Sequence, residues 1–209
     1  MKKELHVIST GKQSADELTA IASVIHPFID ALHLREKSMN ASELFKLVNN
    51  LISGGVPRSK LYINDRVDVA AATGVNGVQL GYNSLDVSAV KETFPRLRVG
   101  SSVHSLKEAL EKEQQGADFL VFGHIFNTTS KPDLQPRGIA SLRELTDAVS
   151  IPVIAIGGIN TTNIANVLQA NVQGVAVLSA ILEDKNPLIR AKELNRLLYG
   201  SEVGSCSFK

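Results

Sequence analysis

One histidine, His124, lies where the sequence best suits acid–base chemistry. It follows the apolar run Phe119–Phe122 and comes directly before a long connection, residues 127–138, that is rich in hydroxyl and cationic side chains. Loops this long in compact domains are commonly active-site lids. An imidazole has an ordinary pKa of about 6.5, so it can both take up and release a proton at neutral pH. We predict that His124 faces a pocket and is a catalytic residue, acting as acid, base or both.

Two other apolar runs end in residues that suit the binding of an anion. Gly157 and Gly158 follow one run, and Leu178 and Ser179 follow the next. Glycines let a backbone approach an anion closely, and a helix that begins at such a point offers unpaired N–H groups. We therefore predict a phosphate-binding site that is built from these four residues.

Further polar residues are candidates for binding a substrate beside this site. Arg35 and Ser102 lie at the ends of two apolar runs, and Thr128, Ser130 and Lys131 lie in the long connection. Guanidinium, ammonium and hydroxyl groups all donate hydrogen bonds, so this set suits an anionic ligand. We predict that the five residues bind substrate, provided that the fold brings them together.

Metal binding has less support in the sequence. Asp65 and Asp68 follow the run Lys60–Asn64, and Mg²⁺ is usually bound by carboxylates together with substrate phosphates. Asp68 falls inside a helical pattern and is expected to form a salt bridge or a cap. Asp65 alone does not make a metal site, and the later stretch Gly81–Ser84 holds no carboxylate. We predict no metal and no cofactor.

The elements that must position these residues alternate regularly along the chain. Eight short apolar runs are typical of parallel strands that are buried on both faces. They are Leu5–Ser9, Ala31–Arg35, Lys60–Asn64, Gly77–Leu80, Arg98–Ser102, Phe119–Phe122, Val153–Ile156 and Gly174–Leu178. A doubly wound sheet is the alternative, but the first run lacks the glycine-rich turn of that fold. The alternation predicts a single-domain α/β protein, a (β/α)8 or TIM barrel, whose strand ends share one face.

Helix starts are also predictable. Ser14 followed by Glu17 resembles a capping box, and either Asn40 or Ser42 begins the second helix. Ser105 precedes a third. The later helical patterns cover Leu106–Gln115, Ser141–Val149, Thr161–Ala170 and Leu188–Leu198.

Length and composition agree with one domain and limit the classes of partner. The chain has 209 residues, of which 44% are hydrophobic and 21% charged. Its net charge of +1 creates no broad field for nucleic acid or an anionic membrane, and no apolar run is long enough to span a membrane. We expect a cytoplasmic barrel over residues 1–200 with its lid at 127–138, and a disordered tail at 201–209. We expect no nucleic-acid or membrane partner.

Five motifs together resemble those of the thiamine phosphate synthase superfamily. They are Tyr62–Asp68, Gly77–Gly81, Gly100–Ser105, Phe122–Phe126 and Ile156–Ile159. The resemblance extends over nearly all of residues 4–199 and implies a (β/α)8 barrel with one of two activities. A thiamine phosphate synthase joins a pyrimidine pyrophosphate to a thiazole phosphate with Mg²⁺. A TenI-type enzyme isomerises a carboxylated thiazole phosphate to its aromatic tautomer.

Departures from the synthase pattern favour the TenI-type branch. The synthase has His-Leu-Gly-Gln-Glu-Asp where this chain has Gln79–Ser84, so Ser84 replaces a carboxylate that binds Mg²⁺ there. It has a proline where this chain has His124, and Thr-x-Thr-Lys where this chain has residues 128–131. Loss of a carboxylate weakens a metal clamp, and a histidine adds a proton shuttle. We therefore expect a thiazole tautomerase, an isomerase of thiamine biosynthesis.

On this interpretation the substrate is a thiazole phosphate carboxylate, and no cofactor takes part. His124 moves the proton, the two anion-binding turns hold the phosphate, and Arg35 or Lys131 holds the carboxylate. A Mg²⁺-dependent thiamine phosphate synthase is the enzymatic alternative. A noncatalytic, ligand-sensing barrel is the alternative from another class. A homodimer is possible by analogy with other barrels alone.

Overall fold

Eight parallel strands pair with their neighbours in chain order, and the eighth closes onto the first. The computed structural model describes residues 2–128 and 134–200. The strands are β1 Glu4–Ile8, β2 Ala31–Leu34, β3 Leu61–Asn64, β4 Gly77–Leu80, β5 Arg98–Val103, β6 Phe119–Gly123, β7 Val153–Ile156 and β8 Gly174–Val177. The predicted (β/α)8 barrel is confirmed, and every predicted strand lies within one residue of the observed one at each end.

Helices follow the strands and cover the outside of the barrel. Within the described ranges they are α1 Ala15–Ile25, α2 Ala41–Ser53, α3 Val67–Thr73, α4 Val87–Thr93, α5 Leu106–Gln114, α6 Gly138–Ala148, α7 Ile164–Leu168, α8 Ser179–Leu182 and α9 Pro187–Tyr199. Ser14 and Asn40 each form a complete capping box, so Asn40 rather than Ser42 caps α2. No helix among the described residues is long and apolar enough to cross a membrane.

Several helices differ from the sequence prediction, and two of the differences have a clear physical reason. The predicted helix Thr161–Ala170 shrinks to α7 because side chains close a turn ahead of it: Asn163 Oδ1 accepts from the backbone N–H of Asn160 at 2.9 Å. Such local bonds compete with helix formation. Helix α4 was not predicted, since only Val87 and Val90 of its seven residues are buried and its apolar pattern is correspondingly short.

The apolar core is divided by the strands into two parts. Residues that point outward, such as Leu5 and Val7, pack against the helices. Residues that point inward fill the barrel itself; they include Ile8, Tyr62 and Phe119. Since side chains alternate along a strand, the positions between outward-facing residues are the ones that can reach the barrel mouth.

Candidate active site

Seven of the predicted site residues lie at the carboxyl ends of the strands. They are Arg35, Ser102, His124, Gly157, Gly158, Leu178 and Ser179. Thr128 follows β6 at the same end of the barrel. Ser130, Lys131 and the predicted tail 201–209 lie outside the described residues. The fold therefore brings the described members of the set to one face, as the strand alternation predicted.

The turn after β7 has a backbone that requires glycine. Gly157 has φ +101° and Gly158 has φ +66°, both in the left-handed region that side chains disfavour. A Cβ on Gly157 would lie 2.2 Å from Cβ of His124, and one on Gly158 would lie 2.5 Å from the carbonyl oxygen of Asn127. The turn is thus packed directly against the chain that follows β6. Its geometry suits the predicted phosphate site, because a bare backbone is presented at the mouth.

The chain after β6 is held against this turn by backbone bonds. The N–H of Ile125 donates to the carbonyl of Ile156 at 2.9 Å, and that of Phe126 donates to the carbonyl of Gly157 at 3.0 Å. On the far side, Arg137 donates its N–H to the carbonyl of His124 at 2.8 Å. The end of the long connection is therefore fastened beside its beginning.

His124 lies under this connection rather than in open solvent. Its side chain is buried, and Nε2 lies 3.0 Å from the carbonyl oxygen of Leu134. A carbonyl oxygen only accepts, so Nε2 carries a hydrogen and donates it. The ring therefore contacts the returning part of the connection.

Two residues that the sequence analysis set aside lie together at the mouth. Ser84 donates a hydrogen bond from Oγ to Oδ1 of Asp65, and the same Oγ accepts from the N–H of Gly81 at 2.6 Å. Asp65 has φ +65°, a strained conformation that is enriched at functional sites. Asp68 instead forms the predicted salt bridge, with Arg66 at 2.5 Å. In the sequence Asp65 is a lone carboxylate, because Ser84, its partner in the fold, follows a different strand.

Below the mouth, three side chains form a hydrogen-bonded chain that the sequence analysis missed. Nε2 of His6 lies 2.9 Å from Oε2 of Glu4, and Nδ1 of His6 lies 2.9 Å from Nε2 of His33. A carboxylate oxygen only accepts, so His6 donates to Glu4, and one of the two facing ring nitrogens carries the hydrogen of the bond between His6 and His33. Nδ1 of His33 is buried without a hydrogen-bond partner among the described residues. The sequence offers one signal for this chain of bonds: Glu4 and His6 alternate with apolar residues in the buried strand β1.

Burial lowers the pKa of His33 well below its usual range, and nearby charge on His6 and Arg98 acts in the same direction. The hydrogen bond from His6 holds the pKa of the Glu4 carboxyl below its ordinary value. Arg98 lies 3.9 Å from Glu4, and the Tyr62 ring stacks on His33 at 4.9 Å between centroids. The folded protein therefore keeps His33 uncharged.

We expect the protein to lose stability as the pH falls below about 6.5. There the unfolded chain protonates His33 while the folded chain does not, so unfolding is favoured by at most about 1.4 kcal/mol per pH unit. Thermal melts between pH 7.5 and 5.5 measure this. The His33→Gln variant should show a flatter dependence, with a residual slope from His26, whose pKa is lowered by burial and by Lys60. A variant slope equal to that of the wild type would contradict the assignment.

Sequence and structure comparisons extend over the whole barrel. A family model described as thiamine monophosphate synthase matches residues 5–181. A thiamine-phosphate synthase of Pyrococcus abyssi is 36% identical, over 94% of this chain and 95% of that protein. One of Desulfitobacterium hafniense is 40% identical, over 86% of this chain and 88% of that protein. The solved structure of a thiamine phosphate pyrophosphorylase from Pyrococcus furiosus has a TM-score of 0.81 and 33% identity, and covers 93% of this chain and 95% of that one.

A closed (β/α)8 barrel with its polar residues gathered at the strand ends has the architecture of an enzyme. The chain belongs to the thiamine monophosphate synthase family, as its relatives and the matching family model agree. The predicted superfamily is therefore confirmed. The comparisons do not distinguish a TenI-type branch within it.

The predicted activity, thiazole tautomerase, is wrong. The relatives from Pyrococcus and Desulfitobacterium are named as synthases, and isomerase chemistry is supported by none of them. The tautomerase prediction failed because it relied on two positions, Ser84 and His124, rather than on the similarity of the whole barrel to the synthases. At one of them, Ser84, an oxygen still lies against Asp65, and at the other, His124, the ring contacts Leu134. A catalytic role of His124 stays a prediction, without the reaction for which it was made.

Proposed function

We propose that this chain is a thiamine-phosphate synthase, an enzyme that joins a pyrimidine pyrophosphate to a thiazole phosphate and releases pyrophosphate. The observation that carries the proposal is the similarity to proteins of that name, at 36% identity over 94% of the chain. The family model matches residues 5–181, which extend from β1 into α8. The synthase, which was the enzymatic alternative to the tautomerase, thereby becomes the preferred activity.

The turns after β7 and β8 are proposed to bind the phosphate of the thiazole. Gly157 and Gly158 present bare backbone there, and Leu178 and Ser179 follow the adjacent strand. Loops after the seventh and eighth strands are the recurrent phosphate site of this fold. Holding the phosphate there fixes one end of the thiazole and leaves its ring to lie across the mouth.

The pyrophosphate is proposed to lie on the opposite side, near β2 to β5. Arg35 follows β2, and Asp65 and Ser84 follow β3 and β4. A guanidinium binds phosphate oxygens through two parallel hydrogen bonds and so orients the leaving group. Thr128, Ser130 and Lys131 are proposed to add donors from the long connection. Two substrates that are anchored on opposite sides would meet over the centre of the barrel, which is how the chain would bring the reacting atoms together.

The family implies Mg²⁺, and the donors at one corner of the mouth fit it. Mg²⁺ prefers oxygen ligands and is commonly held by one or two carboxylates together with substrate phosphates. Asp65 offers a carboxylate and Ser84 a hydroxyl in direct contact with it. No group of three or more His, Cys, Asp or Glu side chains in the described ranges is arranged to hold a metal. The ion would therefore depend on the pyrophosphate for its remaining ligands, and when bound it would offset charge on the leaving group.

The proposal is tested by incubating the purified chain with both substrates and Mg²⁺ and measuring thiamine phosphate by chromatography. We expect product formation that saturates in each substrate and stops when the metal is chelated. Arg35→Ala should raise the KM for the pyrimidine pyrophosphate about 10-fold or more, since a charge-assisted contact is lost. Binding of both substrates without product would instead indicate a noncatalytic barrel and would overturn the proposal.

A further inference from the structure

Gln79 lies beneath the barrel mouth, and its surroundings determine how its amide is oriented. It is the third residue of β4 and is 2% exposed. Its Nε2 lies 3.0 Å from Oγ of Ser102 and 3.4 Å from the carbonyl oxygen of Leu80. A carbonyl oxygen only accepts, so the amide nitrogen rather than the amide oxygen must face it. Gln79 is therefore a donor toward Ser102.

The Gln79 side chain occupies space that is free because the residue opposite it, Gly100, has no side chain. Gln79 pairs across the sheet with Gly100, two residues before Ser102 on the same face of β5. A Cβ on Gly100 would lie 2.4 Å from Oε1 of Gln79 and 2.2 Å from the ring of Phe119. The amide thus lies over Gly100. It can reach Ser102 only because Gly100 has no side chain.

The hydrogen bond from Gln79 determines whether the Ser102 hydroxyl acts as a donor or an acceptor toward a ligand. A hydroxyl has one hydrogen to donate, and when its oxygen accepts from Gln79 that hydrogen is left for another partner. Within residues 2–128 and 134–200, the side chain of Ser102 forms its hydrogen bond with Gln79. Ser102 is half-buried at the end of β5, on the side of the barrel that holds Asp65 and Ser84. The hydrogen is therefore available to a ligand at that side of the mouth.

We propose that Gln79 is a positioning residue that fixes Ser102 as a hydrogen-bond donor to an acceptor atom of the pyrimidine pyrophosphate. The inference rests on the proposed function, and its new element is Gln79, which acts on the substrate through Ser102. A second observation supports it. Oε1 of Gln79 is buried without a hydrogen-bond partner in the described part of the chain. An unpaired buried acceptor is unfavourable. We infer that the hydrogen bond from Nε2 to Ser102 is the reason for this orientation of the amide.

A double-mutant cycle tests the coupling between the two residues. Gln79→Met keeps the side-chain length but removes the donor, and Ser102→Ala removes the hydroxyl. Each is expected to lower kcat/KM for the pyrimidine pyrophosphate by about 10-fold, the worth of one hydrogen bond. The double variant should lose no more than either single variant, because both remove one interaction. The KM for the thiazole phosphate should stay within about twofold of the wild-type value.

The Gln79→His variant provides the rescue, since a ring N–H donates as the amide does. It should recover most of the activity that Gln79→Met loses, and circular dichroism checks that all variants fold. Losses that multiply in the double variant, or a Gln79→Met variant as active as the wild type, would overturn the inference. A wild-type chain that makes no thiamine phosphate would overturn the proposed function and this inference with it. Wild-type turnover with multiplying losses would overturn this inference alone.

Discussion

Replacing Gly157 by alanine is expected to lower kcat/KM by about 100-fold or more and to destabilise the fold by about 3 kcal/mol. Gly157 has φ +101°, where a side chain is strained, and the added Cβ would lie 2.2 Å from Cβ of His124. The turn or the chain after β6 must move to relieve this contact. Either movement displaces the backbone that is proposed to hold the thiazole phosphate, so the KM for that substrate should rise most. Steady-state kinetics and urea unfolding measure the two effects.

Gly55 provides the matched control. It has φ +93°, but a Cβ there would meet nothing within 4 Å. It follows α2, and because that helix runs back from the mouth, Gly55 lies at the opposite end of the barrel. Gly55→Ala should cost about 1 kcal/mol from backbone strain alone and leave kcat/KM unchanged within about twofold. Equal losses of activity in the two variants would show that the contact with His124 is unimportant.

The strands could be predicted closely because each is buried on both faces. Runs such as Val153–Ile156 have no polar residue to interrupt them, and a turn residue lies at each end. The same regularity predicted the face on which Arg35, Ser102 and Gly157 lie, since parallel strands end together. Thus the location of the site follows from the order of elements. No contact between side chains had to be known.

Contacts between strands could not be predicted in this way. Ser84 and Asp65 belong to different turns, and only the pairing of β3 with β4 brings them into contact. Read along the chain, a serine in place of a carboxylate indicates a lost ligand. In the folded barrel its hydroxyl lies against the carboxylate that remains. The predicted absence of a metal stays a prediction, and the fold adds that a hydroxyl oxygen and a carboxylate oxygen meet at this corner.

The position of His124 shows the same limitation. Its place after β6 indicated a catalytic residue in an open pocket, yet its ring is buried and donates to Leu134. Leu134 lies ten residues after His124, and the spacing of residue types between them does not indicate that the two are in contact. The sequence could predict that His124 lies at the mouth, but the contact of its ring with Leu134 is visible only in the folded structure.

The largest effect of a single polar change is expected at Asp65. Asp65→Asn should lower kcat/KM by about 100-fold or more and raise the Mg²⁺ concentration for half-maximal rate by at least about 10-fold. Its partner Ser84 is neutral, so no second carboxylate at this contact compensates for the loss. Asparagine tolerates a positive φ as well as aspartate does, so the melting temperature should change little. Rates measured across a Mg²⁺ titration, together with thermal melts, test both statements.

Asp68→Asn is the control in the same segment. Asp68 is exposed and pairs with Arg66 rather than with Ser84, so its loss should change the rate by no more than about twofold. Adding Ser84→Asp to Asp65→Asn moves the carboxylate across the contact and should recover part of the Mg²⁺ affinity. If Asp65→Asn instead keeps the wild-type Mg²⁺ dependence, the ion does not bind at this corner. A recovery in the double variant would show that one carboxylate is needed there and that either strand end can supply it.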